Sequence, residues 1–120
     1  LVVDDEYASL EVLALLLEAE GYRVLTAADG AEALGRLSLE AADLVITDYM
    51  MPRMTGDELC RRMNDEPRLR NVPVIMTTAM FRDDVPPSPQ VVALFIKPLR
   101  FDKLLAAVRE LLGNARPPLP

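Results

Sequence analysis

Four short apolar runs each end in a polar group, and that repetition restricts the fold more than any other feature of the chain. Val2-Val3 runs into Asp4-Asp5, Leu44-Val45-Ile46-Thr47 into Asp48, Val74-Ile75-Met76-Thr77 into Thr78, and Leu94-Phe95-Ile96 into Lys97. Apolar runs of this length, bounded by polar residues, read as strands buried on both faces of a parallel sheet. In an open α/β sheet, ligands bind just beyond the carboxyl ends of the strands. Three carboxylates, one hydroxyl and one ammonium are therefore expected in a single crevice. Clustered carboxylates repel and need a cation, and the lysine and threonine facing them suit an oxyanion. Together they predict magnesium-assisted phosphoryl chemistry on an aspartate.

The segments between the runs read as helices. Leu10, Leu13, Leu16 and Leu17 form an apolar stripe over residues 6–20, with Gly21 as its stop. Residues 23–27 read as another strand, and Asp29 as the cap of a short helix carrying Leu34 and Leu37. A helix with Leu59 and Met63 follows Gly56 and stops before Pro67. The last helix covers residues 100–112 and ends at Gly113. Strands are expected at 1–3, 44–47, 72–77 and 93–96. One connection breaks the alternation. Residues 81–92 should supply a crossover helix, but Pro86, Pro87 and Pro89 cannot occupy a helix interior, so a short, distorted or mobile helix is expected. Residues 1–113 read as one domain and 114–120 as a proline-rich tail or linker.

A chain of 120 residues, 51% apolar and 27% charged, suits a single globular core. Its formal net charge of −6 argues against this domain gripping nucleic acid by itself. Cys60 is the single cysteine, so no internal disulfide forms; it is expected to be a half-buried helix residue. Histidine is absent, which removes the commonest transition-metal ligand. No apolar stretch is long enough to span a membrane, and no signal peptide is visible. The chain starts inside a strand without an initiator Met, and is expected to be a fragment lacking a few residues of that strand.

Asp4-Asp5, then Asp48 with Met51-Pro52 and Gly56, then Thr78-Ala79, then Lys97-Pro98, resemble a response-regulator receiver domain of two-component signalling, from Leu1 to about Leu112. The resemblance implies a flavodoxin-like, doubly wound five-stranded parallel sheet in order 2-1-3-4-5 with helices on both faces. It implies that Asp48 accepts a phosphoryl group from a phosphohistidine of a sensor histidine kinase or phosphotransfer protein. Mg²⁺ would be held by Asp5 and Asp48 directly, by Asp4 through water, and by the backbone carbonyl of Met50. Lys97 and Thr78 would contact the phosphoryl oxygens, Ala79 would leave room for them, and the Lys97-Pro98 bond would be cis. Thr77 is the neighbour that could be confused with Thr78; alternation puts the two on opposite faces. The implied protein is a bacterial, cytoplasmic switch rather than a metabolic enzyme. It would signal to an unidentified output domain or protein, with dimerisation left open.

Two departures from the family pattern stand out. The aromatic switch residue expected three positions before the lysine is Leu94, and Phe95 stands two before. Either the strand holds a bulge or the usual threonine–aromatic coupling is absent. Apolar Met50 and Met80 stand two residues after Asp48 and Thr78. The main alternative is a receiver-like interaction module that signals without phosphorylation. A nucleotide-binding domain would need a glycine-rich phosphate loop that the chain lacks. A phosphatase of the haloacid-dehalogenase type would carry a second Asp where Met50 stands.

Overall fold

The computed structural model describes residues 1–113; the expected tail lies outside them. Five parallel strands form one sheet: β1 (Val2–Val3), β2 (Thr26–Ala27), β3 (Val45–Asp48), β4 (Val74–Thr78) and β5 (Val91–Ile96), in spatial order β2-β1-β3-β4-β5. Four α-helices connect or follow them: α1 (Tyr7–Ala19), α2 (Gly30–Leu39), α3 (Gly56–Asn64) and α4 (Phe101–Leu112). The expected fold class and strand order hold. The central strands β3 and β4 are buried at every position, which is why their sequences are apolar without alternation.

Each face of the sheet has its own apolar cluster. Val3, Val45, Val74 and Met76 pack with Ala33 and Leu37 of α2 and Leu59, Cys60 and Met63 of α3. Val2, Ile46 and Ile75 pack with Leu10, Leu13 and Leu17 of α1 and Leu104 and Val108 of α4. Period-2 alternation along the strands divides the residues between the faces. Cys60 is buried to 1% exposure, deeper than expected, and burial, joined by the Asp57 carboxylate, pushes its thiol up to about 11.

Local signals explain the helix ends. At the end of α1, the Tyr22 and Gly21 amides donate to the Leu17 and Glu18 carbonyls at 3.2 and 2.9 Å. Gly21 takes φ 94°, the left-handed turn that glycine tolerates. At the start of α2, Asp29 Oδ1 accepts from the Glu32 amide at 2.8 Å, while Glu32 reaches back to the Ala28 amide at 3.2 Å.

Three details refine the expectations. The second strand is confined to Thr26–Ala27, although Leu25 still accepts from the Val2 amide at 2.9 Å. The crossover between β4 and β5 contains no α-helix, only a 3₁₀ turn at Arg82–Asp84, because the prolines remove both donors and helical freedom. A bulge does occur in β5: the register passes from Val74↔Val91 to Ile75↔Ala93. It falls at Val92, ahead of the positions it was expected to re-aim. Leu94 therefore packs with the α2–α3 cluster and Phe95 with the α1–α4 cluster.

Leu37, with 0% exposure, tests the first cluster. Leu37→Ala should destabilise the domain by about 2–5 kcal/mol, through lost burial and the cavity left behind. Urea denaturation followed by circular dichroism would measure this, and a loss below 1 kcal/mol would contradict the packing described.

Candidate functional site

The parallel register brings the strand-end groups Asp4, Asp5, Asp48 and Lys97 into one crevice. Asp48 is the last residue of β3 and pairs with Thr77 of β4, and Thr78 pairs with Ile96 of β5. Lys97 follows directly, its amide donating to the Thr78 carbonyl at 2.7 Å. Lys97 Nζ lies 3.2 Å from Asp48 Oδ2 and 3.6 Å from Asp4 Oδ2. The Lys97-Pro98 bond is cis.

Oxygens of Asp4, Asp5 and Asp48 lie within 4.8 Å of one another. Asp4 and Asp48 are buried, while Asp5 is exposed. One Asp4 oxygen is already committed, accepting from the Glu6 amide at 2.9 Å at the entry to α1. The other faces Lys97. One ammonium cannot neutralise three carboxylates, and an all-oxygen donor set suits a hard divalent cation. The residues present therefore fit Mg²⁺.

Electrostatics follow from this crowding. Burial pushes the Asp48 carboxyl above its ordinary value of 3.8; Lys97 opposes the rise, while Asp4 and Asp5 add to it. Burial alone would lower the Lys97 ammonium, but the Asp48 and Asp4 carboxylates outweigh it and hold it above 10.5. Lys97 is thus charged at any physiological pH.

Thr78 is fully buried, and its hydroxyl oxygen accepts from the Met80 amide at 3.0 Å. That bond uses a lone pair of the hydroxyl and not its proton. By alternation Thr78 shares the sheet face of Met76 and Leu94, whereas Thr77 shares that of Asp48 and Lys97. Phe95 is thus on the face opposite Thr78, and Leu94 occupies the place beside it. Ala79 and Met50 are exposed and Met80 is half-buried.

Two features escaped the sequence reading. Gly56 was noted as part of the pattern, but its reason is spatial. A Cβ there would sit 2.6 Å from the Asp48 carbonyl oxygen and 3.0 Å from Tyr49 Cα, while the Gly56 amide donates to the Tyr49 carbonyl at 2.8 Å. Only glycine lets α3 start so close to the strand end. Arg53, in the same β3–α3 loop, holds φ 68°, a left-handed conformation costing a non-glycine residue about 1–2 kcal/mol. An Arg at positive φ has no signature in the sequence.

An apolar cavity of about 410 Å³ lies beside the carboxylates, with Ala8 and Val12 of α1 and Pro98, Leu99 and Phe101 in its wall, together with Asp4 and Lys97.

A parallel sheet in this order, with three carboxylates and an ammonium at its strand ends, defines a doubly wound α/β domain with a candidate ion site at the carboxyl ends of its strands. The chain belongs to the response regulator receiver domain family, whose sequence model matches residues 1–109. It is 38% identical over 123 residues to the phosphate regulon transcriptional regulatory protein PhoB of Rhizobium meliloti, covering 97% of this chain and 52% of that protein. It is 42% identical over 80 residues to the response regulator PleD of Caulobacter vibrioides, covering 67% of this chain and 18% of PleD. The chain thus spans about half or less of these relatives. Among solved structures, the response regulator TrrA of Thermotoga maritima in complex with Mg²⁺-BeF superposes with a TM-score of 0.81 at 34% identity, covering 92% of this chain and 96% of that one. The receiver domain of a signal transduction histidine kinase from Syntrophus aciditrophicus gives a TM-score of 0.80 at 31% identity, covering 98% and 92%. Among the described residues, no helix is long and apolar enough to cross a membrane.

The raised Asp48 value sets a pH dependence. The native state binds this proton more tightly than the unfolded chain, so the favourable term is full below pH 3.8 and is lost as pH rises through the folded-state value. Asp48→Asn should therefore raise the melting temperature of the metal-free protein at pH 7, with a gain that shrinks toward pH 4. Thermal melts at both pH values would check this; equal gains would contradict the ionisation account.

Proposed function

We propose that Asp48 accepts a phosphoryl group from a phosphohistidine of a kinase or phosphotransfer protein, and that the acyl phosphate switches the domain's signal to an output domain or protein. The observation that carries this reading is the convergence of Lys97 and three carboxylates at the strand ends. An Asp48 carboxylate oxygen attacks phosphorus in line. The new O–P bond forms as the P–N bond breaks, and the departing imidazole takes the electron pair. Lys97 then exchanges its contact with Asp48 for the phosphoryl oxygens, and the Thr78 hydroxyl donates its proton to them. Asp5, Asp48, the Met50 carbonyl and, through water, Asp4 would hold Mg²⁺, which when bound neutralises charge on the phosphoryl oxygens. Water attack on the acyl phosphate later restores the carboxylate, so the domain turns over only its own mark. The apolar cavity beside the site supports docking of a donor protein there. Cytoplasmic localisation follows from the same reading, as does the absence of direct nucleic-acid binding by this acidic domain.

The test is a beryllofluoride titration with Mg²⁺, followed by amide NMR on wild type and Asp48→Ala. Saturable shifts at Asp5, Asp48, Thr78 and Lys97 in the wild type alone are expected. No Mg²⁺-dependent response in the wild type would favour an interaction module that signals without phosphorylation.

Met50 and Met80 bear on the lifetime of the mark. Neither side chain can donate a hydrogen bond to an attacking water or accept a strong one from it. Replacing Met50 with Asn and Met80 with Glu supplies polar groups that can orient that water. The double variant should lose its phosphoryl group faster, by roughly tenfold, in a decay assay of labelled protein; an unchanged half-life would remove these positions from the account.

A further inference from the structure

We propose that Asp29 and Arg53 form a clasp that holds the β3–α3 loop, making Arg53 a positioning residue for the cation site. The proposal rests on reading the acidic cluster as a divalent-cation site. The loop carries Asp48 at its start and the Met50 carbonyl two residues on. Its far side is tied to the beginning of α2 at adjacent points. Arg53 donates to Asp29 Oδ2 at 3.2 Å, and the Met54 side chain covers Gly30 so closely that a Cβ there would meet its sulfur at 2.5 Å.

The two oxygens of Asp29 divide the work. Oδ1 caps α2 through the Glu32 amide, and Oδ2 takes the guanidinium. The Glu32 amide and the Arg53 guanidinium both hold the Asp29 carboxyl below the usual carboxylate range, so the partner is charged near neutral pH. Arg53 stays at φ 68° against its intrinsic preference. The Arg53 side chain is 76% exposed, so the pair offsets only part of that strain; without Asp29 the loop can relax away from the geometry that aims Met50. Two hydrogen bonds report the closed loop: Met54 N–H to the Pro52 carbonyl and Gly56 N–H to the Tyr49 carbonyl, each 2.8 Å.

Asp29→Asn separates capping from clasping. Asparagine caps a helix as well as aspartate does, but turns a donor toward the guanidinium in place of Oδ2. Arg53→Gln separates clasping from simple charge. Removing a cation near a Mg²⁺ site strengthens Mg²⁺ binding if only Coulomb forces act, whereas loss of the clasp weakens it.

The experiment measures hydrogen exchange by NMR on the metal-free chain, then titrates MgCl₂, for wild type and both variants. In both variants, exchange at the Met54 and Gly56 amides should quicken about three- to tenfold. Mg²⁺ affinity should fall by a similar factor in Arg53→Gln. Unchanged exchange at both amides, or tighter Mg²⁺ binding by Arg53→Gln, overturns the clasp. If the wild type gives no saturable Mg²⁺ response, the cation-site reading and the positioning role fail together, while the exchange rates still decide whether the ion pair closes the loop.

Discussion

Three carboxylates held against one ammonium at the ends of parallel strands are the constraint from which the rest of this structure follows. The arrangement is costly in isolation. Asp48 is buried with its carboxyl pushed toward the protonated form, and Lys97 can satisfy only part of the negative charge. The sheet supplies the compensation. Strands β3 and β4 are buried at every residue, and each face carries a separate apolar cluster, so the strand ends cannot drift apart to relieve repulsion. A cation bound there, as proposed, would lower the energy of the destabilised cluster.

Holding Asp48 in place requires more than its strand. The chain must turn from β3 into α3 at once, and Gly56 allows this by bringing the helix start against the Asp48 carbonyl. Thr78 acts from the other side: its carbonyl accepts the Lys97 amide, so the hydroxyl and ammonium expected to grip an oxyanion belong to residues joined by a backbone hydrogen bond.

Legibility in the sequence tracked the range of the interaction. The strands, their order and the residues at their ends were readable because buried parallel strands have a composition of their own and because the polar ends recur in the family's order. Asp29 was readable as a cap, since capping is local. Its second role was not: Arg53 lies 24 positions away, and a left-handed arginine resembles any other loop residue on paper. The reason for Gly56 was hidden likewise, since close approach is a fact of three dimensions. For β5, counting from Lys97 put Leu94, not Phe95, at the aromatic position. The bulge considered for this strand does occur, but it lies too early to change the count. The second strand was overextended because Arg23, Val24 and Leu25 carry strand-like residues without completing the ladder.

The β4–β5 connection shows what remains when a crossover helix is missing. Phe81, Val92 and Ile96 are exposed there, and no α-helix of this connection covers them. The edge strand is anchored instead by polar groups. The Gln90 side-chain amide donates to the Leu69 and Val72 carbonyls at 3.0 and 2.9 Å, while its backbone carbonyl accepts the Val74 amide. Arg82 reaches the Leu94 carbonyl at 3.3 Å. Because the Lys97 amide faces β4, alternation turns the Leu94 carbonyl to the outer edge, where an unsatisfied group would invite another strand. The proline-bearing segment therefore acts as a strap over an edge rather than as a packed helix.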